Sequence, residues 1–522
     1  MDKNISFVVL LAVAWLTFKL LRFGRRDKNL PPGPPTIPIL GNVHLLPRKF
    51  PFLRFTEWAK EYGGIISLKV VNGTIVVLSD MRSITELLDD RSAELSSRPA
   101  FSGLDVVTGG KYFVTAPSAS HFWKISRKVI QPMVSPQGVQ KYFLIQDAET
   151  TQLLYDILHC PEEFYSHISP TTLSFITSIV FGKPTPRHDS PVATLFRDFI
   201  LQFSKAFSPE AAPVDFVPVL KYIPERWAPW KKLWRDTREL QRSLYFGLLD
   251  DAEKRASSGI KQNTFVERII ERQAELGLDR ETIAYICGVL LDGGSETTAS
   301  HLKNLFLCLV KSPASLRKAQ KEIDNVIGER RMPVPNDIHN LPYVQAVIKE
   351  THRLRPVAPT AVPHAPVNDC EYRGYTIPKG TPIFMNIWQI KDGVFHDPNI
   401  FERPEDFWPE RYLLTPDGTK PGLPEGVGNI RSTLQFGSGK RLCPGMHLAN
   451  TNSSLAIMRL LWAFDFAPMN ESDRQPPTWD IENEYLDGIT LTPKPFQCKI
   501  TPRSKEKVEV IKECYERTVV LD

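Results

Sequence analysis

The sequence predicts a mainly α-helical protein with small β-sheets, preceded by a single N-terminal transmembrane helix. Three observations predict it. The stretch from Ile5 to Leu21 is almost wholly apolar, and most of the middle of the chain reads helical, with one apolar-periodic segment from Thr282 to about Val310. Strand-like pieces are short and confined to residues 65–78 and 356–382.

The 522 residues form one large unit. From about residue 40 to residue 500, short Pro- and Gly-bearing loops interrupt the apolar segments, with no Ser/Gly linker, charge run or internal period. The segments are an anchor at 5–21, a basic and Pro-rich hinge at 22–40, a catalytic domain at 41–502 and a polar C-terminal tail at 503–522. A core of that size encloses a cofactor without strain on stability.

As a helix, 5–21 would reach about 25 Å, slightly short for a bilayer unless Lys19 snorkels to the interface. Arg22, Arg25, Arg26 and Lys28 follow, which places the bulk of the protein on the cytoplasmic side. A cleaved signal peptide would need a small-residue cleavage site, and Arg22-Phe23-Gly24-Arg25-Arg26 stands there instead. The net charge of +5 lies mostly in this cluster, so the rest is near neutral and a nucleic-acid partner is not expected. Leu30-Pro31-Pro32-Gly33-Pro34-Pro35 cannot continue the helix and reads as a stiff spacer.

Ile65 to Leu78, with Asn72-Gly73 in its middle, reads as a β-hairpin. Turns fall at Arg373-Gly374 and Lys379-Gly380 in the Pro-rich stretch, and a helix returns after Cys443, starting at Pro444. The seven cysteines are scattered and odd in number, with no zinc spacing, which suits a reducing compartment.

Four constellations carry chemistry. The first is Phe436-Gly437-Ser438-Gly439-Lys440-Arg441-Leu442-Cys443-Pro444-Gly445. A thiolate metal ligand needs hydrogen-bond donors round its sulfur and backbone close to a flat macrocycle; glycines permit both, and a following helix N-terminus favours the thiolate. Arg441 suits a carboxylate on such a macrocycle. Taken alone, Cys443 would read as a buried structural thiol. The second is Glu350-Thr351-His352-Arg353 with Arg411 downstream, an ion pair three apart that Arg411 closes into a network. The third is Gly293-Gly294-Ser295-Glu296-Thr297-Thr298 inside the long helix. Two adjacent glycines there cost roughly 2 kcal/mol against alanine. Either the helix opens locally to admit a diatomic and water, with an acid and a hydroxyl to pass protons, or two helices cross closely. The fourth is Trp123 and Arg127, four apart on one helix face.

The chain resembles the cytochrome P-450 superfamily from the anchor to about residue 500, and every fixed position of the family's Phe-x-x-Gly-x-Arg-x-Cys-x-Gly pattern is matched. The resemblance implies the cytochrome P-450 fold, with Cys443 as axial ligand of haem b in a loop carrying Phe436 and Gly437. It implies Arg441, Trp123, Arg127 and His364 as propionate partners, although the Tyr-Gly often found before that Trp is absent. Glu350, Arg353 and Arg411 would lock the haem-side core, with Tyr412 where Phe is usual. Thr297 would be the distal hydroxyl and Glu296 the acid of a proton relay.

The implied reaction splits O2, placing one atom in a lipophilic small molecule, with electrons from NADPH through a separate NADPH–cytochrome P-450 reductase. No nucleotide or flavin fingerprint precedes the haem region, and Lys124, Lys128 and Lys440 would face that partner. The implied place is the endoplasmic reticulum membrane, single-pass, with the catalytic domain cytoplasmic. Phe101, Tyr112, Phe113, Phe203 and Phe207 fall in segments that line the family's substrate pocket, together with 200–220, Val357 to Val362 and Asp487-Gly488-Ile489. The Pro356–Tyr412 stretch looks like fungal enzymes that tailor secondary metabolites. Two rivals remain: a haem-thiolate isomerase or dehydratase, which would lack the Glu296–Thr297 pair, and a non-enzymatic haem sensor, which would need no oxygen-activation helix.

Overall fold

The computed structural model describes residues 3–207, 213–388, 396, 398–423, 431, 433–469 and 480–519. Helix α1 (Lys3–Arg22) forms where the apolar run predicts it, with Phe7, Val8, Leu10, Trp15 and Phe18 exposed. No helix among the described residues is long and apolar enough to cross a membrane. The expectation of a single transmembrane helix at 5–21 is therefore corrected: a helix forms there, but it is not long and apolar enough to span. Lys19 cuts the apolar run to positions 5–18, about 21 Å of helix against a hydrocarbon core of about 30 Å.

The Pro-rich segment after α1 is held against the domain. Arg26 donates to the carbonyls of Gly33, Pro34 and Ser67, and the Ser67 hydroxyl donates to Pro31 O at 2.5 Å. Helix α2 (Pro51–Tyr62) leads into β1 (Ile65–Val70) and β2 (Gly73–Leu78), antiparallel with Val70 opposite Gly73, the hairpin that Asn72-Gly73 predicts.

Six long helices follow: α3 (His121–Val134), α4 (Phe143–His159), α5 (Phe164–Phe181), α6 (Pro191–Ala206), α7 (Pro229–Ser257) and α8 (Arg280–Lys311). After α9 (Pro313–Ile327) and α10 (Pro342–Leu354) come β3 (Cys370–Tyr372), β4 (Tyr375–Ile377) and β5 (Ile383–Met385). Strand β5 lies parallel to β2, so the sheet order is β1-β2-β5. Helix α11 (Met446–Ala463) starts two residues later than expected, because Pro444 and Gly445 sit in a turn. The chain ends in β6 (Phe464–Ala467), β7 (Tyr485–Leu486), β8 (Thr492–Pro493), β9 (Lys499–Pro502) and α12 (Lys505–Val519).

Helix α8 is the spine: most of its residues past the first turn are buried, and it packs on α5, α7 and β8. Its two adjacent glycines have different reasons. A Cβ on Gly294 would lie 2.6 Å from Ile176 of α5, so this position is a close helix crossing. A Cβ on Gly293 would meet nothing within 4 Å. The helix does not open there; it runs unbroken, and the hydroxyls of Thr297 and Thr298 donate back to the carbonyls of Gly293 and Gly294 at 2.7 and 2.9 Å.

The polar tail is structured. In α12, Ile511 is buried, Lys507 pairs with Asp324 of α9 at 2.9 Å, and Tyr515 stacks on Tyr155 of α4 at 3.6 Å. Residues 520–522 of the tail and 208–212 of the 200–220 stretch lie outside the described residues.

Candidate active site

Cys443 sits on a loop shaped by two short turns of 3₁₀ helix, Leu434–Phe436 and Gly439–Arg441. Its amide donates to Phe436 O at 2.9 Å, which folds the two ends of the loop together. Gly439 is needed on two counts: φ is +54°, and a Cβ would stand 2.2 Å from Leu88 O. Gly437 also has positive φ, at +93°. Burial pushes the Cys443 thiol up, while the Gly445 amide and the Arg127 charge pull it down. One donor and one nearby positive charge are what a thiolate ligand needs once a metal replaces the proton.

Helix α3, capped by Ser120, docks Trp123 and Arg127 on this loop. Arg127 Nη1 donates to Leu442 O at 3.1 Å, and the Arg441 guanidinium lies 4.7 Å from the centre of the Trp123 ring. Arg441 also donates to Ser96 O and Ala116 O, both at 2.6 Å. Its burial and the Arg127 charge bring its pKa down to about 10. His364 is buried in an isolated bridge with Ile383, its Nδ1 2.9 Å from Leu95 O. Burial and the charges of Arg98 and Arg441 lower its pKa to about 3, so it is neutral here.

Arg98 is a member of this cluster that sequence reasoning missed. It is buried and donates to Val362 O and Pro363 O at 2.7 and 2.8 Å, and burial plus Arg441 lower its pKa well below the usual value. No spacing in the sequence marks it; only the Ser97–Ala365 bridge carries it to His364. Arg98, Arg127 and Arg441 have no ion-pair partner among the described residues, a concentration of cations that calls for a dianion. Among those residues no group of three His, Cys, Asp or Glu side chains is placed to hold a metal. A haem fits both observations: it supplies four ring nitrogens and two carboxylates.

Glu350, Arg353 and Arg411 are essentially without solvent contact. Arg353 grips both Glu350 oxygens at 2.8 and 2.9 Å, and Arg411 Nε reaches Glu350 at 3.1 Å. Trp408 N–H adds a fourth donor at 2.8 Å. Between Glu350 and Arg353, His352 stacks on His301 of α8 at 3.9 Å and meets the Phe436 ring at 5.9 Å. That contact joins the long helix to the cysteine loop.

On α8, Glu296 is held up by burial, an effect partly offset by Lys303 and by hydrogen bonding with Ser300. Thr297 lies beside it. One turn earlier, Asp292 is buried and accepts from the Tyr245 hydroxyl, with Tyr112 as a further partner. Burial drives its pKa to about 8 against an ordinary value near 4, so this acid, which the sequence did not flag, is largely protonated at neutral pH. Because the folded state keeps a proton that the unfolded state releases, stability falls as pH rises from about 4 towards 8. Asp292→Asn should remove that slope. Thermal unfolding at pH 6 and pH 8 should show the wild type losing on the order of 2 kcal/mol more than the variant.

The aromatic side chains expected to line the pocket do meet: Tyr112 and Phe203 lie 5.6 Å apart, and Phe203 and Phe207 lie 4.4 Å apart. Phe101 packs against the same cluster, and Phe113 is buried within it. Asp487 of the β7–β8 turn lies against the Phe50 amide.

A helical fold with a half-buried cysteine on a glycine-turned loop, beside guanidinium groups that lack an ion-pair partner among the described residues, fits a haem-thiolate oxidoreductase. The family model for cytochrome P-450 matches residues 31–500. Cytochrome P-450 monooxygenases of two mushrooms are similar along nearly the whole length. That of Armillaria gallica is 39% identical, covering 96% of this chain and 94% of its own. That of Rhodocybe pseudopiperita is 37% identical, covering 95% and 94%. A third, from Penicillium terrestre, is 34% identical over 93% and 92%. The chain belongs to the cytochrome P-450 family, and it is an oxidoreductase.

Proposed function

We propose that this protein is a monooxygenase that inserts one oxygen atom from O2 into a lipophilic small molecule in fungal secondary metabolism. The observation that carries the reading is Cys443 on its loop, with Arg98, Arg127 and Arg441 in the same region and no carboxylate among the described residues to answer them. Haem b, when bound, supplies oxygen binding and activation. Cys443 Sγ would hold the iron, and Arg98, Arg127, Arg441, Trp123 and His364 would hold the propionates. Phe436 and Gly437 would shape the loop under the ring. Phe203, Phe207 and Tyr112 offer an aromatic wall suited to a polycyclic, lipophilic substrate. Relatives at this level of similarity come from fungi and are named monooxygenases, which supports the same reading.

Thr297 and Glu296 take the proton-handling roles. The Thr297 hydroxyl spends its own proton on Gly293 O, which leaves its oxygen lone pairs free to hold an ordered water. Glu296 stands next to it as a half-buried acid able to pass a proton inward. Thr297→Ala should bind haem and substrate as before, yet send more of the NADPH oxidised to hydrogen peroxide and less to product. Thr297→Ser should be milder. Product formed per NADPH oxidised, with peroxide measured alongside, checks this; unchanged coupling in Thr297→Ala removes Thr297 from the relay.

Electrons come from NADPH through a separate reductase docking on the face with Lys124, Lys128 and Lys440, all exposed. The apolar side chains on α1 and the basic residues after it hold the protein to the endoplasmic reticulum membrane, with the domain on the cytoplasmic side. Removing residues 1–28 should release much of the protein from microsomes and leave haem binding intact. Loss of haem incorporation would place this segment in the fold.

A further inference from the structure

Glu296 has two sides. Towards Thr297 it faces the chemistry; one turn further along α8 stands Ser300, on the same helix face and without solvent exposure. Ser300 Oγ is 2.5 Å from Thr492 Oγ1 of β8 and 3.3 Å from Thr490 Oγ1, and the two threonine oxygens are 3.0 Å apart. This triangle of hydroxyls is pinned in place from α8: Asn304 Nδ2 donates to Leu491 O, between the two threonines, at 2.8 Å. Thr492 is buried, whereas Thr490 is only half-buried and follows the exposed turn Leu486–Ile489. The triangle therefore lies between the half-buried acid and water at the surface.

We propose that Thr490, Thr492 and Ser300 form the path by which bulk protons reach Glu296. The inference rests on the oxygen-activating role of Glu296 proposed above. Each hydroxyl is both donor and acceptor, so a proton enters at Thr490 Oγ1 as one leaves Ser300 Oγ for a Glu296 oxygen. The side chains end each transfer as they began. Across a turnover, O2, one substrate C–H, two protons by this path and two electrons from the reductase give one C–OH and one water. Ser300, Thr490 and Thr492 act through Glu296 and are positioning residues. The competing exit is Lys303, a buried cation near Glu296 whose Nζ donates to Ser169 Oγ at 2.8 Å.

The exchange measurement needs no substrate. Infrared difference spectra of the resting holoenzyme, taken at a pH low enough to protonate Glu296, identify its carboxyl C=O stretch as the band that Glu296→Gln deletes. Transfer to D2O then gives the hydrogen–deuterium exchange rate of that proton. Ser300→Ala and Thr492→Val should slow the exchange at least tenfold, with the carbon monoxide spectrum unchanged. Thr492→Ser, which keeps the hydroxyl and loses only a methyl, should stay within about twofold of wild type. The path is overturned if Thr492→Val exchanges as fast as wild type, or if Thr492→Ser slows as much as Thr492→Val. It is equally overturned if Lys303→Met alone slows exchange. If the hydroxyl variants slow exchange while Glu296→Gln leaves coupling and turnover untouched, the path stands and the role given to Glu296 falls.

Discussion

Glu350→Ala should yield no recoverable haem-binding protein. The Glu350 carboxylate takes the Arg353 fork, Arg411 Nε and the Trp408 amide in a place without solvent contact. Arg353 and Arg411 also brace the chain that follows: they donate to the carbonyls of Pro404, Asp406, Glu402 and Arg403. Removing the anion leaves two buried cations against each other, and breaking a buried pair of this kind costs about 3–5 kcal/mol. That is a large part of the total stability of a typical domain. Because His352 of the same helix meets Phe436, collapse here would also move the cysteine loop. Expression followed by Soret absorbance and size-exclusion chromatography measures the outcome. Glu350→Gln, which keeps one acceptor oxygen, should be nearly as damaging, because the charge deficit is the main cost. A folded, haem-loaded Glu350→Ala protein would contradict the role assigned to the network.

Much of this was legible in the sequence because the cues were local. Asn72-Gly73 sets a hairpin with Val70 opposite Gly73, and Arg373-Gly374, both with positive φ, turns β3 into β4. The long apolar-periodic segment is α8, and the Glu350–Arg353 spacing does put both groups on one buried helix face. What stayed hidden depends on tertiary approach. Arg98 has no periodic partner, and it becomes a charge cluster only when the strand-like bridges at Ser97 and His364 draw two distant loops together. Asp292 reads as one more polar residue until Tyr245 of α7 closes on it. In the sequence the two glycines look alike, and only the position of Ile176 distinguishes the reason for each. The tail looked featureless because its contacts, Lys507 to Asp324 and Tyr515 to Tyr155, are with helices far away in sequence.

The second large effect concerns Cys443. The thiolate's strong donation to iron favours O–O cleavage, and histidine or alanine cannot reproduce it. No other cysteine is placed to take over. Cys287, Cys308 and Cys498 are buried in apolar cores, where burial holds each thiol far up its range, and Cys160 is exposed at a helix end. Cys370 has Arg91 beside it and Cys514 has Arg517, but burial still raises both thiols, and neither lies on the glycine-turned loop where the Gly445 amide and the Arg127 charge favour the Cys443 anion. Cys443→His should still fold, since the loop is held by the Phe436 carbonyl, Gly439 and Arg441 rather than by the sulfur. Monooxygenase turnover should be lost. The decisive measurement is the carbon monoxide difference spectrum of the reduced protein. Wild type should give the red-shifted Soret band of thiolate-bound haem, and Cys443→His and Cys443→Ala should not; a Cys443→Ala protein that keeps that band would contradict the assignment of Cys443 as the iron's ligand.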